Sequence, residues 1–405
     1  MIRPRDTGAP HGDYFRALNA ELQRAGPACP CLVLDLDRLD RNIEVLRRSI
    51  RAPMNFRVVA KSLPSIPLIG YIFERAKTRR LMAFHRPFLN AEAEAFPQAD
   101  ILLGKPMPVR AVAEFYELLR GSFDPSRQLQ WLIDTPERLQ QYLVLAAARG
   151  LRLRLNIEID TGLHRGGVED ERMLAQMLET VAAHPDHAEF AGFMGYDPQV
   201  VKLPAMLGSH EQLHAKTQAR YRAFCNIVRR QYPALWHDGL TLNAAGSPTY
   251  RLYEGIETPV NDVSVGSALV KPTDFDLGIL SEHEPALFIA TPVLKVQQGT
   301  KVPGIAALGK LQAWWNPNRQ RTYFTYGGHW MARYESPAGL RGNELFGYST
   351  NQEFVNGSHR TALLPDDYVF LRPTQSEAVM LQFGAIVTLR GGRVSDRWQV
   401  LQQTT

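Results

Sequence analysis

A single lysine closes an otherwise apolar run. The segment "RVVA" at 57–60 leads directly into Lys61, and an amine at the end of a strand is a group that can condense with a carbonyl to form an imine. Further along, "LTLNAAG" runs into Gly246-Ser247-Pro248-Thr249, and "VSVGSALV" at 263–270 contributes Gly266 and Ser267. Small residues let backbone N–H groups and hydroxyls approach an anion closely, which bulky side chains prevent. A lysine together with such a loop is what an anionic phosphate cofactor bound through an imine requires. Singly, each feature has an ordinary reading: a strand-end lysine seeks solvent, and Gly-Ser-Pro-Thr is a common turn. The other polar residues that close apolar runs are His85, Asp160 with Arg165, and Tyr196 with Asp197.

Elements of regular length must carry these residues. Short runs rich in strand formers recur at 57–60, 81–84, 101–104, 129–133, 153–159, 190–196, 240–246 and 263–270. Helical patterns lie between them, at 109–120, at 136–149 before Gly150, at 170–183 before His184-Pro185, and at 210–232 before Pro233. Parallel strands need helical crossovers, so the alternation predicts an α/β fold, a (β/α)₈ TIM-type barrel. A doubly wound open sheet is the rival; no G-x-G-x-x-G follows the first strand, which counts against its dinucleotide-binding version. In a barrel the chemistry sits at the C-terminal ends of the strands, where the residues above fall.

The flanks differ. Residues 1–28 form an N-terminal extension with an amphipathic helix over 13–25, the barrel spans 29–277, and 278–405 is a C-terminal β-rich domain with no helical periodicity. "CLVLDL" at 31–36 precedes the barrel series and is a candidate strand of the second domain, with Asp37 as N-cap of the helix that follows.

Composition narrows the classes. With 46 Lys plus Arg against 41 Asp plus Glu over 405 residues, the net charge of +5 is dilute and mixed in sign, which argues for no nucleic-acid partner. The 45% hydrophobic and 21% charged content is that of a folded protein large enough for two domains. Cys29, Cys31 and Cys225 are too few for a disulfide framework and lack a second pair for zinc, so free or buried thiols are expected. The opening "MIRPRDTGAPHGDYF" has no apolar central stretch, and no run of about 18 apolar residues occurs, so the expectation is a cytoplasmic protein without a membrane partner.

Six segments, "CLVLDLDRLDRNI", "RVVAKS", "EIDTGLHRGGV", "GYD", "AAGSPTY" and "VGSALV", occur in the order found in a known group. Over residues 29–400 the chain resembles the fold-type III pyridoxal phosphate (PLP) enzymes, most closely the D-threonine aldolases and D-serine dehydratases (deaminases) and more distantly the alanine racemases. The resemblance implies an alanine racemase-like arrangement of PLP-binding barrel and C-terminal β-domain, and a homodimer whose active sites are completed near the interface. It matches Lys61 to the Schiff-base lysine, Arg165 to an arginine near the cofactor's ring hydroxyl, and Tyr196 to a tyrosine beside the pyridine ring. Gly246, Ser247, Thr249, Gly266 and Ser267 match the loops that cradle the phosphate. Asn243 is placed toward the same mouth by strand alternation.

One stretch departs from the group. Its aldolases and dehydratases hold a divalent metal through a P-x-H-x-C pattern, whereas this chain has Pro373-Thr374-Gln375-Ser376-Glu377. Gln375 and Glu377 make a poor zinc site, although their oxygens suit magnesium or calcium; the alternative is a site that has lost its metal. Glu377, His329 and His359 are candidates for a second acid or base. The resemblance therefore implies a PLP-dependent lyase acting on a D-amino acid. The runner-up is an amino-acid racemase, and a third reading is a PLP-binding protein without turnover.

Overall fold

A computed structural model describes residues 3–204, 206, 208–301 and 304–403. The chain opens with α1 (Asp13–Ala25), β1 (Cys31–Asp35) and α2 (Leu36–Ser49). The cap of α2 is Asp35, not Asp37: the Asp35 carboxylate accepts the N–H groups of Asp37 at 2.9 Å and Arg38 at 3.0 Å. Strand passes into helix with no loop, so the last strand residue is the one whose side chain reaches the free amides.

The alternating region follows as β2 (Asn55–Val59), α3 (Ile66–Ala76), β3 (Arg80–Ala83), α4 (Arg86–Ala95), β4 (Asp100–Leu103), α5 (Val109–Leu118), the one-turn α6 (Pro125–Gln128), β5 (Leu129–Ile133) and α7 (Pro136–Arg149). It continues with β6 (Leu153–Glu158), α8 (Glu171–Ala183), β7 (Ala188–Gly195), the short α9 (Gln199–Lys202), α10 (His210–Gln231), β8 (Thr241–Ala244) and β9 (Asp262–Val265). β2 to β9 pair in order, all parallel, and β9 closes on β2. The fold is the closed eight-stranded barrel and not the open sheet.

Inside the barrel the lower layer is charged. Arg57 is fully buried; its guanidinium donates to Asp262 at 2.9 Å, to the Asp100 carboxylate at 2.9 Å and to the carbonyls of Leu81 at 3.0 Å and Asp100 at 2.8 Å. Asp100 and Asp262 open β4 and β9, so this network fills the N-terminal end, opposite the mouth. Gln130 donates to Thr241 at 2.8 Å, and Asn156 to Gln130 at 3.1 Å, which forms a neutral part of the interior.

The remaining elements are β10 (Leu287–Gln298), α11 (Ala306–Trp315), β11 (Arg321–Tyr326), β12 (Ala332–Ser336), β13 (Arg341–Gly342), β14 (Gln352–Gly357), β15 (Tyr368–Pro373), α12 (Ser376–Met380), β16 (Ala385–Arg390) and β17 (Arg393–Gln399). They form a nine-stranded, mostly antiparallel sheet in which β1 lies between β10 and β16. α1 lays Leu18 and Leu22, flanked by Tyr14 and Phe15, on a face built from Cys31, Val33, Ala290, Phe370 and Val387. α11 is a helix the sequence pattern did not announce. "AALGKLQAWW" has apolar residues around most of its circumference and a central glycine, so no 3.6-residue stripe stands out.

The chain divides into two compact units: a sheet unit of residues 3–41, Val270–Asp276 and His283–Val400, and a barrel unit of Asn42–Leu269, Leu277–Glu282 and 401–403. The three cysteines are free, with Cys31 and Cys225 buried and Cys29 exposed. Among the described residues no helix is long and apolar enough to cross a membrane.

The buried guanidinium sets a stability test. Arg57→Met leaves Asp262 inside the barrel with Arg80, at 3.4 Å, as its remaining counter-charge among the described residues. Urea unfolding should show a loss of about 3 kcal/mol, and adding Asp262→Asn should recover part of it.

Candidate active site at the barrel mouth

One turn past β2, Lys61 stands exposed on a 3₁₀ segment, Ala60–Ser62. Its Nζ lies 4.8 Å from the centroid of the Phe84 ring, which follows β3. Phe84 in turn packs against Gly104, the residue after β4; any side-chain carbon there would overlap the ring.

The same use of a missing Cβ recurs across the mouth. Tyr196 follows β7 and its ring rests on Gly246, where a Cβ would meet Cε2 at 2.5 Å. The Arg165 guanidinium lies 5.1 Å from the centroid of that ring, within cation–π range. Arg165 is delivered by a loop that Asp160 organises: the buried carboxylate accepts the N–H groups of Gly162 at 2.9 Å and His164 at 3.0 Å, and pairs with the His164 ring at 2.6 Å. Burial alone would raise the Asp160 carboxyl; the two amides and His164 outweigh it and hold the carboxyl below its usual range.

The Gly246–Thr249 turn and the β9 end interlock. The Ser247 hydroxyl oxygen accepts the N–H groups of Gly266 at 3.2 Å and Ala268 at 3.0 Å, and Ser267 donates to Ser62 at 3.0 Å beside Lys61. Ala245 holds a left-handed φ of 65°, a conformation rare for a residue with a Cβ. Asn243 is elsewhere. Its amide donates to Asp262 at 2.5 Å and Ser264 at 2.8 Å inside the barrel, so it braces β8 against β9 below the mouth.

Two carboxylates at the rim escaped the reading of strand ends. Gln130 and Asn156 face inward, and the same alternation carries Asp134, just past β5, and Glu158, the last residue of β6, to the rim. Glu158 is pushed up to about 7, first by burial and then by Asp134, with Arg165 opposing. The signal was present as two acidic residues in phase with inward-facing amides. His85 caps the start of α4 and packs edge-on to Phe88 at 4.9 Å; burial, Lys105 and Arg86 lower its pKa.

The C-terminal candidates belong to the sheet unit. Gln375 is exposed and donates to Asp274 at 3.3 Å, while Glu377 accepts the Ser376 hydroxyl at 3.3 Å. The His329 ring stacks on Tyr348 at 4.9 Å, and His359 accepts from Arg321 at 3.0 Å. Among the described residues no three His, Cys, Asp or Glu side chains cluster as a metal site would need.

A parallel barrel with a lysine, an aromatic platform and a hydroxyl-bearing turn on one rim, joined in sequence to an antiparallel sheet, defines a class of cofactor-carrying protein. Residues 34–274 match the family described as alanine racemase, N-terminal domain, and the chain belongs to that family, the fold-type III PLP group. A 3-hydroxy-D-aspartate aldolase of Paracoccus denitrificans (strain Pd 1222) is 25% identical over 293 residues, covering 65% of this chain and 68% of the aldolase. Among solved structures, D-threo-3-hydroxyaspartate dehydratase from Delftia sp. HT23 superposes with a TM-score of 0.70 at 18% identity, over 93% of this chain and 98% of the dehydratase. D-threonine aldolase from Filomicrobium marinum gives 0.67 at 17% identity, over 93% and 97% of the two chains. These structural likenesses extend the fold to both units.

The rim carboxylates give a pH prediction. The folded-state pKa of Glu158 lies above its unfolded value, so its contribution to stability is present at low pH and is lost as the pH rises from about 4.5 through about 7. In paired melting curves, Glu158→Gln should therefore gain on the wild type across that window and match it below it. A melting-temperature difference that stays constant from pH 4 to 8 would show that Glu158 does not titrate there.

Proposed function

We propose that the protein is a PLP-dependent lyase acting on a D-amino acid, of the dehydratase (D-serine deaminase) or aldolase type. The observation that carries this is Lys61 at the barrel mouth, facing an aromatic platform, with the Ser247 turn on the same rim. The family match and the aldolase relative support the same reading.

The residues fit the cofactor. Lys61 supplies the amine that would hold it as a Schiff base, and the bare backbone of Gly246 lets the Tyr196 ring pack close at the same rim. Arg165 adds positive charge next to the platform, suited to the ring hydroxyl. Ser247, with both acceptor positions filled by backbone N–H groups, keeps its own O–H to donate to a phosphate, and Ser267, Gly246, Thr249 and Gly266 shape the turns around it. Asn243 supports this layer from below. When bound, PLP supplies an electron sink for the electrons released at the substrate Cα. The same Lys61 amine, when not bonded to the cofactor, would be the base placed to take or return the Cα proton. Glu158 is a second group able to hold a proton near neutral pH.

Elimination or cleavage at the β-carbon is the reaction favoured, since the aldolase relative's name describes a substrate with a β-hydroxyl. Gln375 and Glu377 stand where the group's metal ligands are expected, and their oxygens suit a hard cation better than zinc. A homodimer in the cytoplasm completes the proposal.

Loading with PLP should produce a visible absorption band that borohydride abolishes, with the reduced adduct mapped by mass spectrometry to Lys61. Lys61→Ala should lose both the band and activity by at least about a thousandfold, the scale of losing a covalent catalyst. An unmodified Lys61 in the reduced, cofactor-loaded wild type would overturn the proposal. Across a D-amino-acid panel, the expected products are a keto acid with ammonia, or an aldehyde with a shorter amino acid. The mirror enantiomer as sole product would establish the racemase instead, and parallel runs with chelator, magnesium and zinc report the metal requirement.

A further inference from the structure

The residue after Tyr196 points the other way and meets the phosphate-side turn from beneath. Asp197 is wholly buried. One carboxylate oxygen accepts the Thr249 hydroxyl at 2.6 Å and the other accepts the Tyr253 hydroxyl at 2.7 Å. The Thr249 oxygen in turn accepts the Gly246 N–H at 3.1 Å. Thr249 thus gives its proton to Asp197 and accepts the Gly246 N–H on one lone pair, which ties the carboxylate to the turn.

We propose that Asp197 is the positioning residue of the phosphate-cradling turn, acting through Thr249 and the Gly246 N–H it holds, so that the Ser247 backbone N–H and hydroxyl are presented to the cofactor's phosphate in one orientation. This rests on the proposed PLP function and adds to it a residue that acts without touching the cofactor. An ionised carboxylate is an acceptor only, so both hydroxyls must donate to it, and the direction of the relay from Gly246 through Thr249 is fixed. A neutral amide accepts through one atom and donates through the other, so it cannot hold both hydroxyls in the same sense. Three features of the turn need this constraint: Ala245 holds a left-handed φ, Gly246 lies under the Tyr196 ring, and the Ser247 oxygen must meet the N–H groups of Gly266 and Ala268. Burial raises the Asp197 carboxyl and the Thr249 and Tyr253 hydroxyls oppose it, so that it comes to about 6 overall and both hydroxyls meet a carboxylate at neutral pH. A buried charge with two committed donors is costly and poorly explained as a stabilising contact; it is well suited to fixing geometry. The consecutive pair Tyr196-Asp197 thus sets both the ring platform and the phosphate turn from one strand end.

The test compares PLP with pyridoxal, which shares the ring and aldehyde but lacks the phosphate. Affinities are read from the imine absorption band, with borohydride trapping on Lys61 as a second readout. Asp197→Asn should lower the wild-type preference for PLP over pyridoxal by roughly tenfold or more, the size of a hydrogen bond to a charged group, while pyridoxal binding itself stays close to the wild-type value. Thr249→Val should do the same, Thr249→Ser should keep the preference, and the double variant Asp197→Asn/Thr249→Val should lose no more than either single change. If Asp197→Asn does not fold, the Thr249 pair decides the question on its own. Variants that weaken PLP and pyridoxal equally, or leave the preference intact, overturn the positioning role while the PLP function stands. A wild type that takes up neither compound overturns the proposed function and this role together.

Discussion

The barrel closes around one buried guanidinium. Arg57 draws its acceptors from the first residues of β4 and β9 and from a carbonyl of β3, so β2 and these three strands meet it together in one relative register. A register that parted Arg57 from its two carboxylates would strand a charge in the interior, and that penalty disfavours other pairings. The ion pairs of Arg57 lie at the N-terminal end, opposite the mouth. Their effect reaches the opposite end because a strand fixed in register at the bottom is also fixed at the top.

At that top end the site is built from paired economies of space. Gly104 makes room for Phe84 and Gly246 makes room for Tyr196, so two aromatic rings lie close to the backbone at the strand ends. Lys61 overlooks the first ring and Arg165 the second. Beneath them, hydroxyls do the bracing: Ser247 ties the β8 turn to the β9 end, and Asp197 ties the same turn to the end of β7 through Thr249. A rim held from two sides is the preorganised kind of surface that an anionic group can enter without reordering it.

The two carboxylates Asp197 and Glu158 show how position decides a role. Both are raised by burial. Asp197 has two hydroxyl donors and no access to the mouth, so it holds geometry. Glu158 ends an inward-facing row on the rim beside Asp134, so its raised pKa makes it a group that holds or releases a proton near neutrality.

Much of this was legible from the chain. The eight apolar runs marked the barrel strands because parallel strands buried on both faces need continuous apolar sequence, and Lys61, Arg165, Tyr196 and the Gly246–Thr249 turn stood out as polar or small residues at their ends. The resemblance to fold-type III enzymes rested on those same positions and extended to the family. What the sequence did not carry were properties of contact. The interior bonds of Asn243 and the Asp197–Thr249 link depend on which groups meet across segments far apart in the chain, while the cap at Asp35 and helix α11 are local features that the apolar pattern did not mark. Local pattern reports which way a residue faces and how it prefers to fold; only the tertiary structure, by bringing distant donors and acceptors within about 3 Å, decided what each polar residue is bonded to and so what it does.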